Sequence, residues 1–474
     1  MRTVATPPVT TNANRRGDGR LRVVPRAAVV LCVLAFVAAA CTATDRSATP
    51  TPAAGTTATP RGAATPAVPP TAAVPSPAVT GSPGATALPS PASSLPPSGP
   101  PLVTLPPPAE GTPGSGATLP PLPDEPVVPV PPATALTSQL QRLLEEWLSE
   151  DGAPGAVLGV RLPDGTTAIV AAGETDAGRG RAVDAGYRFR IGSITKTFVA
   201  VLIMQLVEGG RVALDDPISS HLPEARVTNG ATIRQLLDHT SGIPDFAVAP
   251  EYRLALLRAP GRAWQPQEVL RLVEDRAPDF APGAGWRYSN TNYVLLGMLA
   301  EQITGVDLAQ LLRQDIYQPL GLESTHLDGL EPGPGPAVSG HFDLDSDGNP
   351  DNVRAIPYTA LVTSGAAAGG ISASALDVLD FGTALFGSGL VTSDSLAAMT
   401  TIAPPAIAYG AGMARFDQIG PEVWGHSGAL PGFSTQLVHA VGEDVTIVAM
   451  ANETGADVGS LVGRALALAR EPGE

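Results

Sequence analysis

Cysteine is almost absent from this chain of 474 residues, and the position of the few cysteines decides what they can do. The two cysteines are Cys32 and Cys41, so no cysteine follows Cys41. A region without cysteine cannot form a disulfide, use a thiolate nucleophile or bind a metal through sulfur. These chemistries are therefore excluded for everything after Cys41.

Lysine is rarer still. The chain has 29 lysine and arginine residues together, of which one, Lys196, is a lysine. Arginine stays protonated in proteins, whereas a desolvated lysine can approach neutrality and act as a base. A composition that favours arginine everywhere else does not explain this exception, which makes Lys196 a candidate catalytic base.

Large apolar residues are sparse between Pro50 and Pro132, a stretch that holds 26 of the 50 prolines. Its Thr, Ala, Ser and Gly cannot bury enough surface to offset the conformational entropy lost on folding. We therefore expect residues 41–133 to be a disordered linker and residues 134–474 to form the folded domain.

The residues ahead of the linker have the pattern of an export signal. Several arginines precede an apolar run over 27–40, which is too short for a comfortable membrane span and predicts a signal peptide over 1–40. The run ends in three alanines and Cys41, which resembles the lipobox of bacterial lipoproteins. We expect lipidation of Cys41 and a membrane-anchored, exported lipoprotein facing the cell wall. Simple secretion is the alternative.

Positive charge is concentrated at the N-terminus, and the folded part is acidic. Residues 1–40 carry a net +5 and residues 41–133 a net −2, which leaves −19 for the remainder of a chain whose net charge is −16. So acidic a domain does not bind nucleic acid or anionic lipid by charge. We expect a monomer with a small-molecule substrate.

Helix and strand periods recur at both ends of the predicted domain. In chain order they predict a helix over 136–148, strands over 155–162 and 166–172, strands over 433–440 and 445–451, and a helix over about 456–470. The segments between them are mostly helical or loop-like. We expect an antiparallel sheet built from both chain ends and flanked by helices, with a mostly helical subdomain inserted between them.

Ser193 lies three residues before Lys196, at the start of an apolar segment. Residues 198–204 are apolar without strand alternation, and the segment ends at Gly209–Gly210, which indicates a buried helix. A serine in its first turn shares a face with Lys196, and the positive end of the helix favours an oxyanion nearby. On this motif alone, Ser193 could equally be a helix cap and Lys196 a surface charge.

Two further short motifs follow. Tyr288-Ser289-Asn290 ends a Gly/Pro-rich loop ahead of an apolar helix, and His426-Ser427-Gly428 precedes the penultimate predicted strand. Each of these residues also has an ordinary structural explanation, as a loop aromatic, a helix cap, a structural histidine or a turn.

Taken in order, S-x-x-K, Y-x-N and His-x-Gly resemble the serine β-lactamase and penicillin-binding superfamily. Other segments also resemble sequences of this superfamily, among them Leu236-Leu237-Asp238-His239-Thr240-Ser241-Gly242. The resemblance covers about Leu136 to the C-terminus and implies an α/β (α+β) fold of the β-lactamase/transpeptidase type.

The resemblance also implies roles for the motif residues. Ser193 is the acylated nucleophile, Lys196 its base, and Tyr288 a proton relay, while Asn290 positions the substrate. The backbone N–H groups of Ser193 and Ala429 form the oxyanion hole. His426, Ser427 and Gly428 line the substrate site. Whether Lys196 or Tyr288 is the principal base is left open.

The His-x-Gly motif also bears on which member of the superfamily this is. His426 replaces the lysine usual in related β-lactamases and is more similar to D-alanyl-D-alanine carboxypeptidases, which we expect here, acting on a small peptide. A class C-like β-lactamase or a carboxylesterase, with a β-lactam or an ester as substrate, is the alternative. Arg415 is a candidate for holding a substrate carboxylate. A catalytically silent lipoprotein that binds the cell wall is the non-enzyme alternative.

Two other motifs resemble known sites less well. Gly425-His426-Ser427-Gly428-Ala429 approaches the nucleophile elbow of α/β-hydrolases, but that fold needs an acid and then a histidine well downstream, whereas the only histidine that follows is His439, twelve residues later on a predicted strand. Residues 343–348 resemble the start of a calcium loop, but Arg354 stands where its glutamate belongs. We therefore expect neither a metal nor another cofactor.

Overall fold

The computed structural model describes residues 135–178, 180–343, 351–353, 357–387, 389–406 and 408–470. The predicted signal peptide, the lipidation site Cys41 and the predicted linker lie outside them, as does most of the calcium-loop candidate. No single helix in the described part is long and apolar enough to cross a membrane. One sharply bent pair, Asn290–Thr304 with Leu308–Leu320, has the length and composition of a span, and its first helix is largely buried.

The strands are β1 Gly155–Arg161, β2 Thr167–Gly173, β3 Phe189–Arg190, β4 His326–Leu327, β5 His341–Phe342, β6 Asp351–Asn352, β7 Ile371–Ala373, β8 Ala414–Arg415, β9 Val423–Leu430, β10 Phe433–Ala440 and β11 Val445–Ala451. The helices are α1 Ala135–Asp151, α2 Thr195–Glu208, α3 Ile218–His221, α4 Ile233–Leu237, α5 Pro250–Arg258, α6 Pro266–Leu270, α7 Asn290–Thr304, α8 Leu308–Leu312, α9 Gln318–Leu320, α10 Thr359–Ser364, α11 Ala366–Gly369, α12 Ala375–Phe386, α13 Ser393–Met399 and α14 Val458–Arg470.

The main sheet is built from both ends of the domain, as the sequence predicts. Its strand order is β2-β1-β11-β10-β9-β8, and every neighbouring pair is antiparallel. The bounds of β1, β2, β10 and β11 differ from the predicted ones by no more than one residue. The shorter strands β3, β7 and β4 form a second sheet that the sequence did not reveal.

Strand alternation gives the main sheet two buried faces. Leu158 and Val160 of β1 point to the face covered by α1 and α14, where the predicted apolar face of α1, including Trp147, is buried. Val157, the residue before Leu158, points to the opposite face and joins the larger core that contains α12 and the inserted helices. Each fully buried Leu or Val contributes about 1.5–3 kcal/mol.

Ser193 lies just before the α-helix, whereas the sequence predicts it in the first turn of that helix. It belongs to a 3₁₀ turn, Gly192–Ile194, and the α-helix α2 begins only at Thr195. Gly192 has a φ of +53°, a conformation that L-residues with side chains rarely adopt and that an α-helix does not contain. The glycine therefore turns the chain sharply just before the nucleophile. Helix α2 itself is buried on all sides from Thr195 to Met204, as predicted.

The His-x-Gly motif lies within a strand of its own, β9, rather than in a turn before the penultimate strand. The short strand β8 pairs with β9 only at Trp424 and Gly425. Beyond Gly425, therefore, no strand among the described residues pairs with the outer edge of β9, and Ser427 and Ala429 are exposed. A continuous strand also rules out the nucleophile-elbow interpretation, which requires a sharp strand-to-helix turn.

Candidate active site

The turn that carries Ser193 packs directly against strand β9. A β-carbon added to Gly192 would lie 2.7 Å from the amide nitrogen of Ala429, and one added to Gly428 would collide with the carbonyl oxygen of Ile191. The Thr435 hydroxyl donates a hydrogen bond to that same carbonyl at 3.0 Å. Two glycines thus allow the turn and the strand to touch, which brings the backbone of Ser193 beside the amide of Ala429.

Lys196 is wholly buried one turn after Ser193. Its Nζ lies 3.0 Å from Ser193 Oγ, 2.8 Å from Asn290 Oδ1 and 2.6 Å from the carbonyl oxygen of Ala368. Burial lowers the pKa of Lys196 to about 7, against a smaller opposing effect of the Asp245 carboxylate. The amine is therefore substantially neutral near neutral pH.

These three contacts can be made by a protonated amine, which donates to all three oxygens, and also by a neutral amine. The carbonyl oxygens of Asn290 and Ala368 can only accept, so they take the two N–H groups that a neutral amine keeps. The lone pair is then left for the third partner, the hydroxyl of Ser193, which can donate its proton. A lysine with this arrangement can act as the base for its serine neighbour.

Asn290 is oriented by Asp245, a residue that sequence reasoning missed. The Asn290 side-chain amide donates to Asp245 Oδ2 at 3.0 Å, and its backbone N–H donates to Asp245 Oδ1 at 3.2 Å. Asp245 also caps the short 3₁₀ turn Phe246–Val248. Because the amide nitrogen of Asn290 faces a carboxylate, its oxygen must face Lys196. No local sequence pattern marks Asp245, which lies in a loop far from both motifs.

Tyr288 is half-buried, with the centroid of its ring 4.7 Å from Lys196 Nζ. Aromatic rings surround this position. Those within 6.5 Å of the His239 ring are Trp286, Tyr288, Tyr293 and Tyr409. The surrounding rings exclude water from the lysine, which contributes to its desolvation.

His426 is buried next to this cluster and is held by two hydrogen bonds. Its Nδ1 lies 2.6 Å from the carbonyl oxygen of Ser427, which can only accept, so Nδ1 carries the proton. Its Nε2 therefore accepts from the Tyr409 hydroxyl, 2.8 Å away. Burial, and then the charge of Lys196, lower the pKa of His426 to about 3. The imidazole is neutral, and Tyr409 is a second residue that the sequence did not indicate.

Arg415 differs from the other predicted site residues in its contacts. It lies on β8 and forms a two-pronged ion pair with Asp417, at 2.6 and 3.0 Å. The structure thus brings Ser193, Lys196, Tyr288, Asn290 and the His426–Ala429 strand together, whereas Arg415 has an acidic partner of its own. Among the described residues, no group of three or more His, Cys, Asp or Glu side chains is arranged to hold a metal ion.

Comparison with known proteins agrees with this geometry. Residues 140–470 match the family model described as Beta-lactamase. Penicillin-binding protein 4 of Amycolatopsis lactamdurans is 30% identical over 66% of this chain and 84% of its own. Esterase EstB of Burkholderia gladioli is 34% identical over 47% of this chain and 58% of its own. The crystal structure of a D-stereospecific amidohydrolase from Streptomyces sp. superposes with a TM-score of 0.60 at 31% identity, over 70% of this chain and 98% of that one.

The fold and these similarities define the class: this is a serine hydrolase fold of the β-lactamase and transpeptidase type. The chain belongs to the Beta-lactamase family, whose members include proteins named as penicillin-binding proteins, an esterase and D-aminopeptidases. The chain spans about three fifths of the length of several of the curated relatives it matches.

Proposed function

We propose that this protein forms an acyl-enzyme on Ser193 and hydrolyses an amide or peptide bond on the carboxyl side of a D-residue. The observation that carries the chemistry is the buried Lys196, whose Nζ lies 3.0 Å from Ser193 Oγ and whose other two partners are the side-chain oxygen of Asn290 and the carbonyl oxygen of Ala368. The preference for a D-residue is supported by relatives named D-stereospecific amidohydrolase and D-aminopeptidase.

Acylation begins when Ser193 Oγ forms a bond to the substrate carbonyl carbon and its proton passes to neutral Lys196. The carbonyl electron pair moves to oxygen, where the N–H groups of Ser193 and Ala429 stabilise it. When the C–N bond breaks, the leaving nitrogen takes a proton from the Lys196 ammonium, relayed by the Tyr288 hydroxyl. An ester on Ser193 and a neutral lysine remain.

Deacylation reverses these roles. A water molecule adds to the ester carbonyl carbon while its proton passes to the Lys196–Tyr288 pair. The Ser193 oxygen then leaves as the new acid forms, and the proton returns to it. Each step uses the same base, so one lysine with a pKa of about 7 can serve as acceptor and then as donor.

The leaving group distinguishes two candidate activities. The His-x-Gly motif and the likeness to a penicillin-binding protein favour a D-alanyl-D-alanine carboxypeptidase, whose leaving amino acid carries a carboxylate. The two candidate partners for that carboxylate are, however, occupied: His426 is neutral with both nitrogens hydrogen-bonded, and Arg415 is paired with Asp417. This observation favours an amidase or esterase acting on a substrate with an uncharged leaving group.

Covalent labelling tests the proposal. The full chain is incubated with a fluorescent penicillin and a fluorophosphonate, beside the Ser193→Ala variant. We expect at least one reagent to label the wild type and neither to label the variant. If neither reagent attaches to Ser193 in a folded protein, the enzyme proposal is wrong and a silent binding protein is favoured.

Matched substrates then separate the activities. The pair is a short peptide ending in D-Ala-D-Ala and the same peptide with an amidated C-terminus. A carboxypeptidase hydrolyses the free acid with the higher kcat/KM, whereas an amidase or esterase prefers the amide or a p-nitrophenyl ester. Fast nitrocefin hydrolysis would favour the β-lactamase alternative.

We further propose that the protein is exported and anchored to the cell membrane by a lipid on Cys41. The support is the sequence pattern of the first 41 residues and the proline-rich linker that follows them. Cys41→Ala should move the protein from the membrane fraction to the soluble fraction. A variant that stays in the membrane fraction would contradict lipid anchoring.

A further inference from the structure

His239 combines two features that each carry a free-energy cost. It is wholly buried with a φ of +65°, in the left-handed region that residues with side chains seldom occupy. Its Nε2 atom is buried and has no hydrogen-bond partner among the described residues. Strained backbone and unsatisfied polar groups persist mainly where a site depends on them.

The other ring nitrogen of His239 is fully used. Nδ1 lies 3.2 Å from the backbone nitrogen of Ser289 and 3.3 Å from the side-chain nitrogen of Asn292. The Asn292 amide is itself oriented, because its oxygen accepts from the Ser241 hydroxyl at 2.8 Å. Both neighbours of Nδ1 are therefore N–H donors. Nδ1 must be an acceptor, and the proton of the neutral ring is on Nε2.

The backbone of His239 holds the same segment from a second point. Its carbonyl oxygen accepts from the backbone N–H of Arg287 at 3.1 Å. Arg287 and Ser289 are the two chain neighbours of Tyr288, so one residue binds the backbone N–H groups of both neighbours of that tyrosine. The His239 and Tyr288 rings also lie in contact, with their centroids 4.3 Å apart.

We propose that His239 is a positioning residue that places Tyr288 and Asn290 relative to Lys196 through its Nδ1 acceptor and its left-handed backbone. The left-handed turn lets a single residue present both its carbonyl and its Nδ1 to the Arg287–Ser289 segment. Ser289 also precedes helix α7, whose first residue is Asn290. The proposal rests on the proposed function for its catalytic consequence, but the hydrogen bond to Ser289 can be tested without activity.

Three variants separate the backbone requirement from the acceptor. His239→Asn keeps both, because asparagine tolerates the left-handed region and its Oδ1 takes the place of Nδ1. His239→Gly keeps the backbone conformation and removes the acceptor. His239→Ala loses both. All three remove the imidazole ring, so the asparagine variant is the matched control for lost packing.

The first measurement is hydrogen exchange in full-length protein, on peptides that cover residues 286–292. We expect the Ser289 amide to exchange faster in the glycine and alanine variants and to stay protected in the asparagine variant. The second is the acylation rate. A misplaced catalytic group costs on the order of 100-fold, so we expect a loss of that size in kcat for His239→Gly with KM nearly unchanged, and rescue by His239→Asn.

Equal Ser289 exchange in all three variants and the wild type would overturn the proposal, as would a glycine variant with wild-type kcat. Equal losses of kcat in the glycine and asparagine variants would show that the ring matters only for packing. If the wild type itself is never acylated while Ser289 exchange follows the expected order, the proposed function fails and the structural part of this proposal stands.

Discussion

The two sides of the active site differ in how far their side chains are buried and hydrogen-bonded within the protein. On the lysine side, Lys196 and Asp245 are buried, and the hydrogen bonds of Lys196 lead to fixed protein acceptors. On the strand side, Ser427 and Ala429 lie exposed on a strand edge that pairs with no other strand in the part of the chain that the structure describes. A buried side fixes the proton chemistry, because desolvation sets the pKa of the base. At an exposed edge, the choice of substrate depends on the contacts that form when the substrate binds.

Lys196→Arg should have the largest effect, because it removes the base from the lysine side of the site. Guanidinium stays protonated and cannot take the proton of Ser193, so we expect acylation to fall by about 10³-fold although the charge is conserved. The measurement is the rate of labelling by the reagent that reacts with the wild type. Arg464→Lys, which exchanges the same two residue types at a surface ion pair, should leave that rate unchanged. Labelling of Lys196→Arg at a near-normal rate would remove the lysine from the role of base.

Asp245→Asn should have the next largest effect. The variant loses the carboxylate that orients the Asn290 amide, and we expect kcat to fall by about tenfold. It also loses a negative charge that favours the protonated form of Lys196, so the pKa of the lysine should fall further. Since the neutral lysine is the active form, the acid limb of the kcat/KM profile should move to lower pH. A limb that moves to higher pH would contradict this arrangement.

Tyr409→Phe tests the link between the two sides. It removes the hydroxyl that donates to His426 Nε2 and leaves a buried acceptor unsatisfied. We expect a cost of about 1–2 kcal/mol, seen either in the free energy of unfolding or as a several-fold rise in KM. Chemical denaturation and steady-state kinetics distinguish the two results. A variant unchanged in both would show that this hydrogen bond contributes measurably neither to stability nor to substrate binding.

Arg415→Gln should have the smallest effect, and it tests whether this residue of the strand side binds a substrate carboxylate. If its guanidinium serves only Asp417, the exposed ion pair contributes less than about 1 kcal/mol and kinetics should change less than twofold. A selective rise in KM for the substrate with a free carboxylate, but not for its amide, would restore Arg415 as a carboxylate-binding residue. That result would also favour the carboxypeptidase over the amidase.

Local sequence patterns predicted the features that depend on residues close together in the chain. The terminal helices and the strands β1, β2, β10 and β11 follow apolar periods, and the Ser193–Lys196 pair is separated by less than one helical turn. Asp245, Tyr409 and the contacts of His239 could not be read in this way. They come from loops without periodicity and reach the site only through the fold.

The role of Lys196 as a base can be tested directly, because it is the only lysine in the chain. Full-length protein with a lysine-free tag, labelled with ¹³C and ¹⁵N in lysine, should give a single set of side-chain NMR signals, whose pH titration reports this amine alone. We expect a midpoint near pH 7 in the folded protein and a return towards the ordinary lysine pKa after denaturation. A folded-state midpoint above about pH 9.5, close to that of an exposed lysine, would contradict the role of Lys196 as the base.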